Sequence, residues 1–207
     1  MRYAMVIDLK RCIGCYGCQI FCKAEHATPR GVQWSRVLLY ESGSYPAVQK
    51  MAVPVLCRHC AVPACVDVCP TGASRKRADG IVTVEDKKCT GCLNCLAVCP
   101  YGARQLSPEQ GEYFPGQGLT PYEKSDRPER REGGVGKCDF CLARTEQGRK
   151  PVCVENCMTG ARYFGDLDDP ESDVAQLLRR REVFPVCPGT LGVAEEGEVA
   201  VYYLARS

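Results

Sequence analysis

The sequence lacks the residue patterns on which most catalytic sites depend. It contains only two histidines, His26 and His59, which leaves no Ser-His-Asp candidate and no HExxH zinc motif. The glycine-rich stretch 133–136 follows a run of charged residues rather than a strand, so it does not predict a phosphate-binding loop. These absences indicate that the chain has no catalytic residues and that substrate chemistry belongs to another protein.

Long apolar runs and a large net charge are also missing. No stretch approaches the roughly 20 apolar residues of a transmembrane helix, so we expect no direct membrane span. Residues 1–8 predict a strand rather than a signal peptide, so we expect the chain neither to export nor to anchor itself. Two locations stay open: the cytoplasm, or the periplasm after co-export with a partner that carries the signal. The formal net charge of +2 gives no indication of nucleic-acid binding.

Cysteine, in contrast, is abundant. It accounts for 17 of the 207 residues, and all but one of these cysteines fall into four groups of four. The first and third groups are spaced C-x2-C-x2-C-x3-C, the second C-x2-C-x4-C-x3-C, and the fourth C-x2-C-x11-C-x3-C. In chain order the groups are Cys12, Cys15, Cys18 and Cys22; Cys57, Cys60, Cys65 and Cys69; Cys89, Cys92, Cys95 and Cys99; and Cys138, Cys141, Cys153 and Cys157.

Each group has a spacing typical of a cubane [4Fe–4S] cluster. The four irons of a cubane lie at tetrahedral corners, and each needs one thiolate, which closely spaced cysteines supply. Two other uses of so many cysteines fit this pattern less well. Zinc sites also use four thiolates, but usually from two separated C-x2-C pairs. Disulfide frameworks are typical of short secreted chains.

The repeat also predicts which cysteines share a cluster. In two-cluster ferredoxins the fourth cysteine of each group binds the neighbouring cluster. The second and third groups lie close together and both end in Cys-Pro, so we pair them and pair the first group with the fourth. We name the resulting ligand sets sites 1 to 4. Site 1 is Cys12, Cys15, Cys18 and Cys157; site 2 is Cys138, Cys141, Cys153 and Cys22; site 3 is Cys57, Cys60, Cys65 and Cys99; site 4 is Cys89, Cys92, Cys95 and Cys69.

This pairing predicts an α+β fold of two ferredoxin-like modules, the second inserted into the first. The inner module covers residues 57–105, and the outer module covers residues 1–56 and 106–207. Two additions to the outer module are expected along the way: a β-hairpin within residues 28–50 and a long loop over residues 107–136.

Alternating segments predict half-buried strands ahead of three of the groups, at Tyr3–Leu9, Met51–Leu56 and Gly80–Val84. A C-terminal helix is predicted from an N-cap at Asp169 to about Arg181. Residues 198–204 alternate again and predict a last strand.

Three of the groups end in almost the same residues, Cys-x-x-Gly-Ala. Gly72, Gly102 and Gly160 hold the glycine position, and we expect a positive φ there as the chain leaves a helical turn for a strand. The first group departs from the pattern, because Cys22 is followed by Lys-Ala-Glu.

A few residues near the cysteines have open roles. His59 lies within a C-x2-C pair, and we interpret it as tuning a cluster or touching a partner rather than binding iron. Arg11, Lys88 and Lys137 each precede the first cysteine of a group, and they either stabilise reduced clusters or are solvated charges. Four oxidised clusters with their thiolates would change the formal charge from +2 to about −6. Cys187 lies outside every group and is interpreted as a free thiol.

At these motifs the chain resembles the four-cluster iron–sulfur subunits of the dimethyl sulfoxide reductase family of molybdenum oxidoreductases. The resemblance runs from Met5 to Pro170 and includes the eleven-residue gap of the last group. Some relatives replace one cysteine of the third group and hold a three-iron cluster there; all four are present here, which implies four [4Fe–4S] clusters. Residues 31–34 and 40–46 look most like the small subunits of arsenate, polysulfide and thiosulfate reductases and of transhydroxylase and dehydroxylase enzymes.

The resemblance implies an electron-transfer subunit that is not an enzyme by itself. Its expected partner is a large catalytic subunit with a molybdenum or tungsten bis-pterin cofactor, docked beside site 1, in an anaerobic respiratory setting. The far end would face a quinone-linked membrane subunit or a soluble electron donor. The alternative is a stand-alone or hydrogenase-associated polyferredoxin; however, residues 28–50, 107–136 and 166–207 lie outside the cluster motifs, which favours a docking subunit.

Overall fold

The computed structural model describes residues 1–108, 112–126, 133–180, 183–184 and 199–204. Helices and strands are mixed along these residues, so the predicted α+β class is confirmed. The strands are β1 Tyr3–Asp8, β2 Arg36–Ser42, β3 Gln49–Val55, β4 Ser74–Lys76, β5 Val82–Val84, β6 Gln105–Leu106, β7 Val135–Gly136, β8 Arg162–Asp166, β9 Val183–Phe184 and β10 Val201–Leu204. The helices are α1 Gly17–Glu25, α2 Ala64–Asp67, α3 Asn94–Ala97, α4 Pro121–Asp126, α5 Leu142–Thr145, α6 Val152–Glu155 and α7 Asp173–Arg180, with a 3-10 turn at Asp86–Lys88.

The main sheet joins the two ends of the chain in the order β8-β1-β10-β9. β1 runs antiparallel to β8 and parallel to β10, so that Val6 lies between Tyr163 and Tyr202. The predicted first strand is confirmed, but it is not half-buried: Ala4 to Ile7 are all inaccessible to solvent. A continuous apolar run of this kind is typical of a strand covered on both faces. The last strand is confirmed over Val201–Leu204, also fully buried.

The predicted hairpin is present, but it lies further along the chain than expected. β2 and β3 pair from Arg36 opposite Val55 to Ser42 opposite Gln49. The segment Met51–Leu56, predicted as a separate strand, is therefore largely the second strand of the hairpin. It leads directly to Cys57, so the hairpin fixes the start of the second cysteine group.

Residues 107–136 were predicted to form one long loop, but a helix interrupts this segment. They contain α4, which begins with a capping box: the Glu123 amide donates to Thr120 Oγ1 at 3.2 Å, and the Thr120 amide donates to the Glu123 carboxylate at 2.9 Å. The hydroxyl of Tyr113 donates to the Thr28 carbonyl at 2.9 Å, and that of Tyr122 donates to the Ala24 carbonyl. The segment is thus tied to the region around the end of α1.

The helix predicted from Asp169 starts later. α7 begins at Asp173, and the Ala175 amide donates to Ser172 Oγ at 3.2 Å, so Ser172 supplies the cap. Asp169 instead accepts from the Glu171 amide at 2.9 Å in the preceding turn. Arg181, the predicted end, lies outside the described residues.

Four short helices follow cysteine loops and pack in pairs. α1 packs against α6, which links the first cysteine group to the fourth, and α2 packs against α3, which links the second to the third. None of the helices in the described ranges is long and apolar enough to cross a membrane.

Candidate metal centres

The first and fourth cysteine groups meet in the structure although more than a hundred residues separate them. Cys12 lies beside Cys157: burial raises the pKa of the Cys12 thiol, and the neighbouring thiols raise it further. Cys22, near the end of α1, lies beside Cys153 and Cys141, and burial followed by these thiols raises its pKa well above the ordinary value. The last cysteine of each group therefore lies among the thiols of the other group.

The second and third groups exchange cysteines in the same way. Burial first, and then the thiols of Cys57, Cys65 and Cys99, raise the pKa of Cys60 to about 12. Site 4 is gathered around one small cavity. Its lining includes Cys69, Cys89, Cys92 and Cys95.

A single metal ion would need the thiols of a site to lie closer together than a cluster does. Four thiolates around one zinc ion lie about 3.8 Å apart, because each Zn–S bond is about 2.3 Å long. Among the described residues, no three His, Cys, Asp or Glu side chains are close enough to hold one ion. A cluster does not need such a close approach, because each of its thiolates binds a different iron.

The last cysteines of three groups accept backbone hydrogen bonds. The predicted positive φ is confirmed at Gly72, Gly102 and Gly160, with values of 64°, 55° and 57°. In this turn, the backbone amide one or two residues after the glycine points toward the cysteine sulfur. The bonds are Ser74 N to Cys69 Sγ at 3.4 Å, Ala103 N to Cys99 Sγ at 3.5 Å, and Ala161 N to Cys157 Sγ at 3.3 Å. Donors to sulfur stabilise the negative charge of a thiolate or a cluster.

These hydrogen bonds change how readily the thiols ionise. Although burial opposes ionisation, donors from Ser74 and Thr71 lower the pKa of Cys69 to about 7. Cys141 lies deeper, and burial is the main cause that raises its pKa to about 12. Thiolates at such buried positions need compensating positive charge, which the irons of a cluster supply when bound.

A buried arginine lies between sites 3 and 4. Arg104 is 3% exposed; its Nη2 is 3.0 Å from Cys65 Sγ, and its Nη1 donates to Ser74 Oγ at 2.7 Å. Burial opposes its charge, but the thiols of Cys65 in site 3 and Cys95 in site 4 raise the pKa of the guanidinium.

A second arginine lies in the corresponding place between sites 1 and 2. Arg162 is 4% exposed; its Nη1 is 3.4 Å from Cys153 Sγ, and its Nη2 donates to Ser35 Oγ at 3.3 Å. Burial again opposes the charge, while Cys153 in site 2 and Cys18 in site 1 raise the pKa. Both arginines directly follow the Gly-Ala pair that ends a group, and sequence reasoning missed them although this repeat position was visible.

Arg104 Nε and His59 Nε2 are buried donors for which the described residues offer no acceptor. Buried donors without partners are rare in folded proteins. Both lie beside cysteines of site 3, where the inorganic sulfides of a cluster are suitable acceptors. The residues present therefore fit [4Fe–4S] clusters in donor type, spacing and charge.

The basic residues that precede the groups have ordinary structural roles. Lys88 is exposed and pairs with Glu85 at 3.0 Å, as expected for a solvated charge. Arg11 donates to the Tyr163 hydroxyl at 2.6 Å at the surface. Lys137 is buried and donates to the carbonyls of Val82 and Cys138, so it joins the start of β5 to the loop of the fourth cysteine group.

His59 is a buried neighbour of site 3. It is 3% exposed, so it cannot touch another protein, which removes one of the two roles considered for it. The Val82 amide donates to its Nδ1 at 3.0 Å. Burial first, and then the charges of Lys137 and Arg104, hold its pKa well below the usual range, so the ring is neutral. Cys187 lies outside the described residues.

His26 was given no role by the sequence, but the structure places it beside site 2. Its Nε2 lies 3.2 Å from Cys141 Sγ, and its ring packs on Trp34 with 4.8 Å between centroids. The side chain reaches this thiol across a separation of 115 residues, which no local spacing reveals.

Replacing Gly91 by alanine is expected to weaken the loop of the third group. Gly91 has φ +73°, and an added Cβ would overlap the carbonyl oxygen of Gly133. Backbone strain alone costs about 1–3 kcal/mol, so we expect faster iron release from site 4 to a chelator under anaerobic conditions. Gly80→Ala is the control, since Gly80 has φ +85° with open space around it. Equal release rates in the two variants would contradict the predicted overlap.

The fold and the sites define an iron–sulfur protein of the multi-cluster ferredoxin type. The family described as "4Fe-4S dicluster domain" matches residues 48–117 and 113–167. The chain is 36% identical to the iron–sulfur subunit ArrB of arsenate respiratory reductase from Shewanella sp. (strain ANA-3), over 91% of this chain and 92% of that protein. It is 38% identical to a subunit of the selenate reductase of Mesobacillus selenatarsenatis, over 99% of this chain and 72% of that protein.

A subunit of the tetrathionate reductase of Salmonella typhimurium is a third relative, 41% identical over 86% of this chain and 64% of that protein. The chain therefore belongs to the family of [4Fe–4S] iron–sulfur subunits of molybdenum oxidoreductases, as the motifs predicted. It is an electron-transfer subunit with several [4Fe–4S] clusters and not an enzyme by itself.

Proposed function

We propose that the chain passes electrons along four [4Fe–4S] clusters held at sites 1 to 4, to or from a catalytic subunit. When bound, each cluster accepts and releases one electron. The observation that carries this proposal is the meeting of cysteines from distant groups, with Cys22 beside Cys153 and Cys12 beside Cys157. A crossed arrangement of this kind brings two sites close together in each pair of groups.

The packing of the elements supports two nested modules. The first and fourth groups are joined by the packing of α1 on α6 and by the antiparallel pairing of β1 with β8. The second and third groups are joined by α2 on α3 and by β4 with β5. These contacts favour an inner module at residues 57–105 within an outer module formed by 1–56 and 106–207.

The proposed partner is a large catalytic subunit with a molybdenum or tungsten bis-pterin cofactor. The relatives described above are subunits of arsenate, selenate and tetrathionate reductases. Around site 1, Ile13, Ile20 and Met158 are 67%, 60% and 75% exposed. Several large exposed apolar residues next to the cysteines of one site are typical of a protein contact surface. We assign this surface to the catalytic subunit, because it would bring the partner's redox centre next to site 1.

The electron path that begins at site 1 is proposed to end at site 4. Cys92 is exposed there, and Leu93 beside it is 37% exposed. A thiolate at the surface shortens the distance to a second redox partner. That partner is proposed to be a quinone-linked membrane subunit or a soluble electron donor.

Anaerobic purification of the native complex tests this function. We expect a large chain containing molybdenum or tungsten to co-purify, and roughly 16 irons in the present chain. The isolated holo chain should exchange electrons with artificial dyes but turn over no oxyanion, sulfur compound or phenol. Iron near half the expected value, or substrate turnover by the isolated chain, would contradict the proposal.

A further inference from the structure

The first C-x2-C segment of each of the four groups has an unusual backbone position in common. The residue just before the second cysteine has a positive φ in each: 72° at Gly14, 46° at His59, 73° at Gly91 and 57° at Phe140. Glycine adopts this conformation without steric cost, whereas a large side chain does so only under strain. The first and third groups therefore have the expected glycine at this position. The second and fourth groups have a large side chain there instead.

The two large side chains at this position, His59 and Phe140, contact each other. The rings of His59 and Phe140 lie in contact, with 3.9 Å between their centroids and a tilt of 32° between their planes. They are 3% and 0% exposed. His59 lies between two cysteines of site 3, and Phe140 lies between two cysteines of site 2. The strained residues thus form a direct contact between the second group and the fourth, which the proposed function places in different modules.

The ring pair is held in place on both sides. The Val82 amide donates to Nδ1 of His59 at 3.0 Å, which fixes the orientation of the imidazole. Phe164 packs edge-on against Phe140 with 5.3 Å between centroids, and Tyr3 stacks on Phe164 at 5.1 Å. A residue in a strained conformation persists only where its surroundings hold it, and such strain is concentrated at functional positions.

We propose that the contacting rings of His59 and Phe140 are the electron-transfer contact between sites 3 and 2, and hence between the two modules. This inference rests on the proposed function. Electron tunnelling slows exponentially with distance and is faster through packed atoms than through a gap. One electron leaves the reduced centre at one site and reduces the oxidised centre at the other, while no bond forms or breaks and neither ring is oxidised.

The other two contacts along the path are of a different kind. Arg162 lies between sites 1 and 2, and Arg104 lies between sites 3 and 4, each with guanidinium nitrogens near cysteine sulfur. Guanidinium groups thus lie near the cysteines between sites of the same pair, whereas two rings make the side-chain contact between the pairs. The junction between modules is therefore the place where ring packing has the largest effect on the transfer rate.

The test uses the anaerobically purified holo chain with two variants at the junction. His59→Asn removes the ring, keeps a polar acceptor, and suits the left-handed backbone, since asparagine adopts it more readily than most residues. Phe140→Leu removes the other ring and keeps an apolar side chain. The matched control is Phe114→Leu, the same exchange at a phenylalanine that is 56% exposed and lies outside every cysteine group.

Freeze-quench paramagnetic resonance after a one-electron pulse follows the redistribution of the electron between the centres at sites 2 and 3. We expect redistribution to be at least tenfold slower in both junction variants, with the iron content and midpoint potentials of the parent. In Phe114→Leu we expect less than a twofold change. If His59→Asn and Phe140→Leu hold their full iron and redistribute the electron at the rate of the parent chain, the proposal is overturned. Loss of iron from both would overturn it as well, because the rings would then serve only to hold the sites.

Failure of the proposed function has a different outcome. It would show in the parent chain as missing clusters or as the absence of a molybdenum or tungsten partner. The junction variants, in contrast, are compared with a parent that already holds four clusters.

Discussion

Replacing Cys22 by serine is expected to remove the cluster at site 2 and to leave the cluster at site 1 in place. Cys22 follows Cys12 by only ten residues, yet its thiol lies beside Cys153 and Cys141. It is 5% exposed, so no other ligand can readily take its place. The variant should lose roughly a quarter of the chain's iron, which is one cubane of four.

Comparison with other serine variants identifies which cluster is lost. The paramagnetic resonance spectrum of the reduced Cys22→Ser protein should match that of Cys138→Ser and differ from that of Cys12→Ser. Cys157→Ser is the reciprocal variant and should resemble Cys12→Ser. Cys187→Ser is the control, because this cysteine stands outside every group, and it should keep all of its iron. A Cys22→Ser spectrum that matches Cys12→Ser would disprove the crossed pairing.

The cysteine groups were predictable from the sequence because the geometry of a cubane constrains local spacing. A thiolate every three residues can reach successive corners only from one short loop, so the motif itself determines where the loop lies. The glycines after the last cysteines were predictable for a similar reason. A helical turn that gives way to a strand needs a residue with positive φ, as seen at Gly72, Gly102 and Gly160.

Residues that act across long sequence separations were not predictable in this way. Arg104 and Arg162 reach thiols that belong to two sites each, and no local pattern shows where a long side chain ends. The sequence directed attention to Arg11, Lys88 and Lys137 because they stand next to cysteines, yet a neighbour in sequence often points away from the loop. Repeat position was the better guide, since both buried arginines follow a Gly-Ala pair.

The predicted starts of helices were wrong where two local sequence signals competed. The sequence Asp169-Pro170 has the form of a helix start, but Ser172 caps α7 instead. In the segment predicted as a long loop, Thr120-Pro121-Tyr122-Glu123 contains a capping box with proline at the first helical position. The sequence therefore contained a signal for a helix start. The many charged residues, glycines and prolines around it favoured the prediction of a loop instead.

Replacing Arg162 by methionine is expected to lower the midpoint potentials at sites 1 and 2. Each oxidised cubane with its thiolates carries about −2, and reduction adds another negative charge. The guanidinium lies within 3.4 Å of Cys153 Sγ in a buried environment, so it stabilises the reduced state more than the oxidised one. A unit charge about 7 Å away contributes roughly 2 kcal/mol at an effective dielectric constant of about 20. For a one-electron couple this is a decrease of roughly 85 mV, at about 59 mV per tenfold change.

Redox titration followed by paramagnetic resonance measures these potentials, and the variants separate charge from packing. Arg162→Lys keeps a positive charge but loses the planar fork, so it should recover part of the potential. Arg104→Met should lower the potentials at sites 3 and 4 and leave those at sites 1 and 2 near their parent values. Lys88→Met is the control, because Lys88 is exposed and paired with Glu85, and exposed charges are strongly screened. Unchanged potentials in Arg162→Met with full iron would show that the buried guanidinium serves only to hold the fold together.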